Sequence, residues 1–517
     1  MATKESKAQR VERLKREKNP WDALEEIRGF ARTGFPAIPP EWLGTYLRWW
    51  GVYTQGDGAG VVGGHNGEGK ALPYFMVRIR IPNGILRAAQ LRAIADLSRR
   101  FGRGVADITV RQNIQLHWVT PESLPEVLQT LEQQGLTTLG ACGDVVRNIT
   151  GCPVAGVDAD EICDPSPLAM EASRLLAGNA EFYNLPRKFK VSLTGCRAWC
   201  SYPEINDVGL TAITRSFRGQ LETGFSLRVG GGLSTDPHLA VRLNAFVRWP
   251  QVVDVIRGVA ELFRATTSLR EHRERARLKF LFLREGWSAE AFQRELERLL
   301  GFELDPAEPE HPPQDNYRDH LGIHSQKQEG LCFVGAAVVR GRVSWEQLHA
   351  AAELSERHAS GDLRTTAMQN LLIVNSRWLT EELDDRLPGF DQDFKLHVTG
   401  CPNSCGQHWI ADIGLEGKKL KVNGSFVDAY YFCVGGAVGS FPTIARPVGY
   451  RCAAQQVPDA IERLLRTYRA TREPGENLRR FFGRHSDAEL RQFLAGEQVE
   501  PVERDRPAAP VPQAVEG

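Results

Sequence analysis

The sequence predicts an internally duplicated α+β protein with mixed sheets, and three observations carry that prediction. The segment FKVSLTGCRAWCSYPEINDVGL, Phe189 to Leu210, returns as FKLHVTGCPNSCGQHWIADIGL, Phe394 to Leu415, at an offset of 205. The same offset aligns VGGG at Val229 with VGGA at Val434, Ile256 with Ile461, and FRAT from Phe263 with YRAT from Tyr468. Upstream, ADITVRQNIQLHWV (Ala106 to Val119) matches GDLRTTAMQNLLIVN (Gly361 to Asn375), pairing Gln112-Asn113 with Gln369-Asn370 at an offset of 257. A register held without gaps over such a length marks duplication.

The elements follow in order. Residues 1–70 read as a charged helix and a Gly-rich stretch, QGDGAGVVGGHNGEGK. That stretch lacks a GK[ST] ending and follows no convincing strand, so a mobile loop is expected and not a phosphate cradle. YFMVRIRIP then reads as a strand, LRAAQLRAIADLSRRFG as an amphipathic helix and DITVRQNIQLHWV as a strand. Copy two repeats the plan with LCFVGAAVV, SWEQLHAAAELSERHAS and LRTTAMQNLLIVN. After each Cys turn come a DVGL or DIGL strand, a Gly-rich turn and a helix, VVDVIRGVAELFRA or VPDAIERLLRTYRA. The Pro- and acid-rich ELDPAEPEHPPQDNY, Glu303 to Tyr317, reads as the linker between copies.

The copies differ in length. Gln112 and Gly195 lie 83 residues apart, whereas Gln369 and Gly400 lie 31 apart, so copy two is 52 residues shorter there. The corresponding part of copy one contains GACGDVVRNITGCPVAG, which copy two lacks.

Composition excludes some functions. Lys+Arg and Asp+Glu both number 64, so net charge offers no case for nucleic acid or an anionic membrane. No apolar run reaches membrane-spanning length, and the charged N-terminus lacks a signal peptide's apolar core. A cytoplasmic protein is expected. Its ten cysteines are then poor candidates for disulfides, and close pairs point to metal or redox work.

Two constellations carry chemistry. Cys401 and Cys405 sit on a Gly/Pro/Asn/Ser turn that can aim two thiolates at one centre. Spacing alone leaves open a four-iron cluster, a four-thiolate zinc site or a buried turn of inert thiols. The cations come second. Arg78 and Arg80 alternate on one strand face, Arg111 and Arg147 follow, and Lys188 and Lys190 of LPRKFK share a face beside Arg187. Converging cations suit a ligand with several carboxylates or phosphates, and a solvated strand face is the bland alternative.

At TGCPNSCGQ, TVRQNIQLHW, GDVVRNITG, NLPRKFK and MVRIRIPNG the chain resembles the sirohaem-containing nitrite and sulfite reductases, from about residue 20 to 485. The resemblance implies two ferredoxin-like half-domains, 71–125 and 318–376, and two larger mixed α/β domains, 126–302 and 377–490. The linker is 303–317, and a disordered tail is expected over 491–517. It implies sirohaem bridged to a [4Fe–4S] cluster through a shared thiolate, and six-electron reduction of nitrite or sulfite with ferredoxin as donor. Matched residue by residue, Cys401 and Cys405 fall on the second cluster pair, with Cys405 as the shared ligand. Arg78, Arg147, Lys188 and Lys190 match the basic residues facing the substrate. Arg111 and Gln115 match positions near the macrocycle.

One departure stands out. The family's first cluster pair, of the form Cys-x5-Cys, lies before TGCPNSC, and here that region, NLLIVNSRWLTEELDDRLPGFDQD, holds no cysteine. It coincides with the shortened part of copy two. Cys196, Cys200, Cys142, Cys152 and Cys163 are not expected to substitute, because duplication places each Cys turn in its own half. Cys332, Cys433 and Cys452 are expected in the core. Nitrite reduction is the leading expectation, on RWWGVYTQ and overall length. Sulfite reduction, which the RKFK form favours, and a non-catalytic anion- or sirohaem-binding homologue are the alternatives. A basic patch in RATREPGENLRRFFGRH is the expected place for a ferredoxin.

Overall fold

The computed structural model describes residues 5–56, 71–233, 236–313, 318–376, 390–391, 394, 396–399, 408–422, 425–437 and 443–496. The chain divides into two compact units, Met1–Thr380 and Glu381–Gly517.

The first unit begins with helix α1 (Lys7–Glu17), which Ser6 and Gln9 close with a reciprocal capping box. Five strands follow: β1 (Val52–Gly56), β2 (Ala71–Ile79), β3 (Ile85–Arg87), β4 (Val105–Ile108) and β5 (Ile114–Val119). Helix α2 (Ala88–Phe101) lies between β3 and β4. DITVRQNIQLHWV, read above as one strand, is a hairpin of β4 and β5. Its turn depends on Gln112, which takes a left-handed φ of 58°. A non-glycine residue there gives no sequence signal of the kind that marks ordinary hairpin turns.

Copy one of the larger domain supplies β6 (Thr150–Gly151), β7 (Val191–Thr194), β8 (Val208–Phe217), β9 (Gln220–Val229) and β10 (Val241–Arg248), with helix α3 (Val252–Ala265). The order is β10-β9-β8-β7-β6, with β6, β7 and β8 parallel and the rest antiparallel. α3 buries Val252, Val255, Ile256, Val259 and Phe263 in the core beneath this sheet.

The second half-domain contributes β11 (Gly322–Ser325), β12 (Cys332–Ala336), β13 (Arg342–Ser344), β14 (Asp362–Thr365), β15 (Leu371–Ser376) and helix α4 (Trp345–His358). LRTTAMQNLLIVN is likewise a hairpin, β14–β15, with Gln369 at φ 65°. The half-domains exchange edge strands: β13 pairs with β4, and β3 pairs with β14. A two-fold set of contacts locks the exchange. Gln112 Nε2 donates to the Thr365 carbonyl at 3.0 Å, and Gln369 Nε2 donates to Ile108 at 2.8 Å. Asn113 accepts from Ile81 N–H and Asn370 from Val338 N–H, at 3.2 and 3.0 Å. Each partner is 257 residues from its equivalent, so the repeated QN dipeptide is the hairpin tip that ties the copies together.

In the linker, Asp305 holds Arg215 and Arg248, and Glu310 holds Arg228 and Arg242. The second unit contains β16 (Leu396–Thr399), β17 (Ile413–Val422), β18 (Ser425–Val434) and β19 (Arg446–Ala453) in sequential order. Helices α5 (Val457–Thr471), α6 (Leu478–Arg484) and α7 (Asp487–Ala495) complete it. β16 to β19 sit 205 residues after β7 to β10, strand for strand, and among the described residues none corresponds to β6.

Candidate active site

The basic site begins on β2. Phe75, Val77, Ile79 and Ile81 fill the core, so the intervening Arg78 and Arg80 take the other face. Arg78 lies directly opposite Gln115 in the β2–β5 ladder, and its Nε and Nη2 donate to Gln115 Oε1 at 2.8 and 2.5 Å. Its Nη1 donates to Cys142 Sγ at 3.0 Å. Arg80 is 1% exposed, and none of its three guanidinium nitrogens has a partner among the described residues. Burial alone pulls it down to about 10.

Arg111 stands at the β4–β5 tip and reaches into the larger domain. It donates to Asn206 Oδ1, the Asn148 carbonyl and the Val191 carbonyl at 2.8, 2.6 and 3.2 Å. Burial, then the charges of Arg147, Arg277 and Arg80, bring it to about 9. Arg147 folds back on its own turn, donating to the carbonyls of Gly143 and Ala141.

Lys188 and Lys190 precede β7 and flank Phe189, whose ring stacks on Phe263 in the core, so both ammonium groups point away from it. Neither lysine makes an ion pair among the described residues. Burial, then Arg147, Arg277 and Arg187, lowers Lys188 to about 8. Burial, then Arg111, Arg277 and Lys188, lowers Lys190 to about 7.

The structure adds cations that the sequence reading missed. Arg273 donates to Asp144 Oδ1 at 2.7 Å, and Arg277 donates to Asp207 Oδ2 at 2.9 Å. Lys15 of α1, fully buried, lies 3.5 Å from Asp144 and donates to the Leu185 carbonyl at 3.0 Å. Burial would raise Asp144, but Arg273, Lys15 and Arg187 outweigh it and hold the carboxyl well below the usual range. Asp144 and Asp207 are the buried carboxylates that pair with these cations. The cations of the site are Arg78, Arg80, Arg111, Arg147, Arg187, Lys188, Lys190, Arg273 and Arg277, of which Arg80, Arg147 and Arg277 are buried and the rest half-buried. Five of these cations line two cavities of about 260 and 250 Å³: Arg187 and Arg273 line both, Arg147 the first beside Tyr53, and Lys188 and Arg277 the second. The available signal was the dense run of cations in LREHRERARLKF, which the sequence analysis did not single out.

The thiols divide. Cys401 and Cys405 lie outside the described residues. Cys433 and Cys452 are core residues, and Cys332 donates to the Ser376 carbonyl. Cys152, Cys196 and Cys200, expected to play no joint part, converge with His320. In the patch suggested for a ferredoxin, Arg472 pairs with Asp391 and Arg484 with Glu476, while Arg479 and Arg480 are exposed.

Residues 142–304 and 364–499 match the nitrite and sulphite reductase 4Fe-4S domain. Residues 68–134 and 324–377 match the nitrite/sulfite reductase ferredoxin-like half domain. The chain is 32% identical over 560 positions to the assimilatory ferredoxin-dependent nitrite reductase of Haloferax mediterranei, covering 93% of this chain and 92% of that protein. It is 33% identical over 540 positions to the ferredoxin sulfite reductase of Mycobacterium tuberculosis, covering 93% and 95%. The solved structure of Mycobacterium tuberculosis NirA aligns with a TM-score of 0.66 at 32% identity, over 93% of this chain and 97% of that one. An alignment of 560 positions exceeds this chain's 517 residues, so at least 43 positions (560 less 517) face gaps here. The fold, both domain types and these likenesses agree: the chain belongs to the nitrite and sulphite reductase family.

Proposed function

We propose that this protein reduces nitrite to ammonium with electrons from a ferredoxin, using sirohaem and a [4Fe–4S] cluster. Six electrons and eight protons turn one nitrite into one ammonium and two waters. When bound, the iron macrocycle and its cluster supply the electron path.

The observation that carries the proposal is the buried excess of cations, Arg80 above all. A fully buried guanidinium with no partner is costly, and a ligand bearing several carboxylates relieves that cost. The residues present therefore fit a polycarboxylate macrocycle. In this reading Arg80, Arg111, Arg273 and Arg277 hold carboxylates, and Gln115 fixes Arg78 toward the substrate side. Arg78, Arg147, Lys188 and Lys190 hold the anion. Lys188 and Lys190, lowered to about 8 and 7, can also release protons at neutral pH, as oxygen-to-water steps require. Cys401 and Cys405 are assigned to the cluster, with Cys405 as the ligand shared with the macrocycle.

The test is purification from cells that make sirohaem, followed by assay with dithionite-reduced methyl viologen and each anion. Ammonium yield from nitrite exceeding sulfide yield from sulfite supports the proposal. The reverse makes the protein a sulfite reductase. A second reading, anion or macrocycle binding without turnover, is favoured by the lack of any cysteine between Cys332 and Cys401. A macrocycle absorption band without cluster absorption or turnover would establish it.

A further inference from the structure

Outside the basic site, four buried groups in the first unit meet at one point. β6 and β7 run parallel with Gly151 opposite Leu193, so their C-terminal ends lie side by side. Cys152 follows β6 directly, and Cys196 and Cys200 lie on the turn just after β7. Cys196 Sγ and Cys200 Sγ are 3.3 Å apart, and the Cys152 thiol contacts both. His320, just before β11, completes the group: one ligand atom each from Cys152, Cys200 and His320 lies within 4.8 Å of the others.

All four side chains are at most 3% exposed. Both ring nitrogens of His320 lack a partner among the described residues. Ordinary core thiols would explain three buried cysteines, but not a buried imidazole aimed at them with two orphaned nitrogens. The backbone is also strained here: Trp199 and His320 take left-handed φ values of 50° and 60°. Such conformations persist where the surroundings impose them, often at ligand sites. Gly335 accommodates the His320 carbonyl, which a Cβ at that position would meet at 1.8 Å. Arg318 and Asp158 pin the incoming chain with two hydrogen bonds, at 2.5 and 3.0 Å.

We propose that Cys152, Cys196, Cys200 and His320 bind one tetrahedral divalent ion, of which zinc is the chemical type. Three sulfurs and one imidazole nitrogen form a closed structural zinc set. With Zn–S near 2.3 Å, tetrahedral ligand atoms stand about 3.8 Å apart; Cys152, Cys200 and His320 lie within 4.8 Å of one another, and Cys196, 3.3 Å from Cys200 but outside that group, has to turn toward His320 to complete the set. A four-iron cube separates its thiolates further, because each caps a different iron. The surroundings are apolar, with Val154, Val157, Phe333, Leu372 and Val374 packed around the thiols, so the site is structural and closed to substrate. The cysteines come from the larger domain and the histidine from the second half-domain, so the ion staples the two. None of this depends on the reductase reading.

The test measures zinc, iron and acid-labile sulfide per chain in the full-length protein, purified without chelator. Wild type and Cys163→Ala carry one zinc per chain; Cys200→Ala and His320→Ala carry at least tenfold less, and His320→Cys retains it. Should the alanine variants fail to fold, wild-type protein grown on cobalt answers instead. A thiolate-to-cobalt charge-transfer band with strong tetrahedral visible bands supports the site. Any of four results overturns it: no zinc and no cobalt band, zinc indifferent to Cys200→Ala, iron and sulfide that track Cys200 in place of zinc, or a Cys196–Cys200 disulfide detected by mass in the purified protein.

Discussion

Replacing Arg80 by Met should move stability and ligand affinity in opposite directions. The Arg80 guanidinium is buried with no partner among the described residues, and burial alone pulls it down from the usual guanidinium range to about 10. At 1.36 kcal/mol per unit, that burdens the macrocycle-free protein by about 3 kcal/mol. Met removes the charge at similar length and also relieves Arg111, which Arg80 repels. Protein prepared without the tetrapyrrole should therefore be stabilised by about 2–3 kcal/mol, in line with buried ions replaced by apolar groups. Urea unfolding followed by tryptophan fluorescence reads this, since Trp21, Trp49 and Trp50 lie buried in the same unit. Affinity for the polycarboxylate ligand should fall, by a factor of ten or more if one charge-assisted pair is lost. If Arg80→Met instead destabilises the ligand-free protein, the guanidinium is already neutralised and the uncompensated-charge reasoning fails.

Other outcomes follow from the same geometry. Nitrite or sulfite affinity of the ligand-free protein should fall as pH rises through about 7 and then 8, because Lys190 and Lys188 lose their protons there; Lys190→Ala should remove the lower step of an isothermal titration pH series. Asp144→Asn should cost about 3–5 kcal/mol by taking the carboxylate from buried Arg273 and leaving Lys15 with Glu12 as its remaining ion-pair partner. Because its folded pKa is depressed, Asp144's stabilisation is complete above the unfolded carboxyl's value and is lost as pH falls toward the folded one, so wild type and variant should converge in acid. Gln112→Ala orphans Gly151 N–H, held at 3.0 Å, and frees the Thr365 carbonyl, so a loss of about 1–3 kcal/mol is expected in denaturant melts. Gly84→Ala should be worse, since its Cβ would meet the Thr365 carbonyl at 2.2 Å from a φ of 70°, and soluble yield should drop.

The sequence made the duplication legible because repeat offsets survive as strand positions: 205 residues carry β7–β10 onto β16–β19 without a slip. The basic residues on β2 and before β7 were legible because strand alternation puts them opposite core residues such as Ile79 and Phe189. Three things were not. The QN hairpins hide because their left-handed residue is glutamine, stabilised by contacts to the other half-domain that local propensity does not encode. The exchanged strands β3 and β13 are three residues each, too short for periodicity. The thiol site was missed because treating each Cys turn as belonging to its own half ignored what parallel strand ends bring together. Cys152 meets Cys196 through the β6–β7 ladder, and His320 arrives 120 residues after Cys200.

Strand β6 is described in copy one, and among the described residues copy two has no counterpart. Copy one keeps it, and with it the cysteine that follows and completes a three-thiol turn cluster. Copy two matches strand for strand up to β16, and its sequence is 52 residues shorter where a β6 equivalent belongs. By sequence, the shortened stretch is also where copy two carries no cysteine between Cys332 and Cys401. The length deficit and the cysteine deficit are thus one event in physical terms. The β6–β7 geometry accounts for the closed thiol group of copy one.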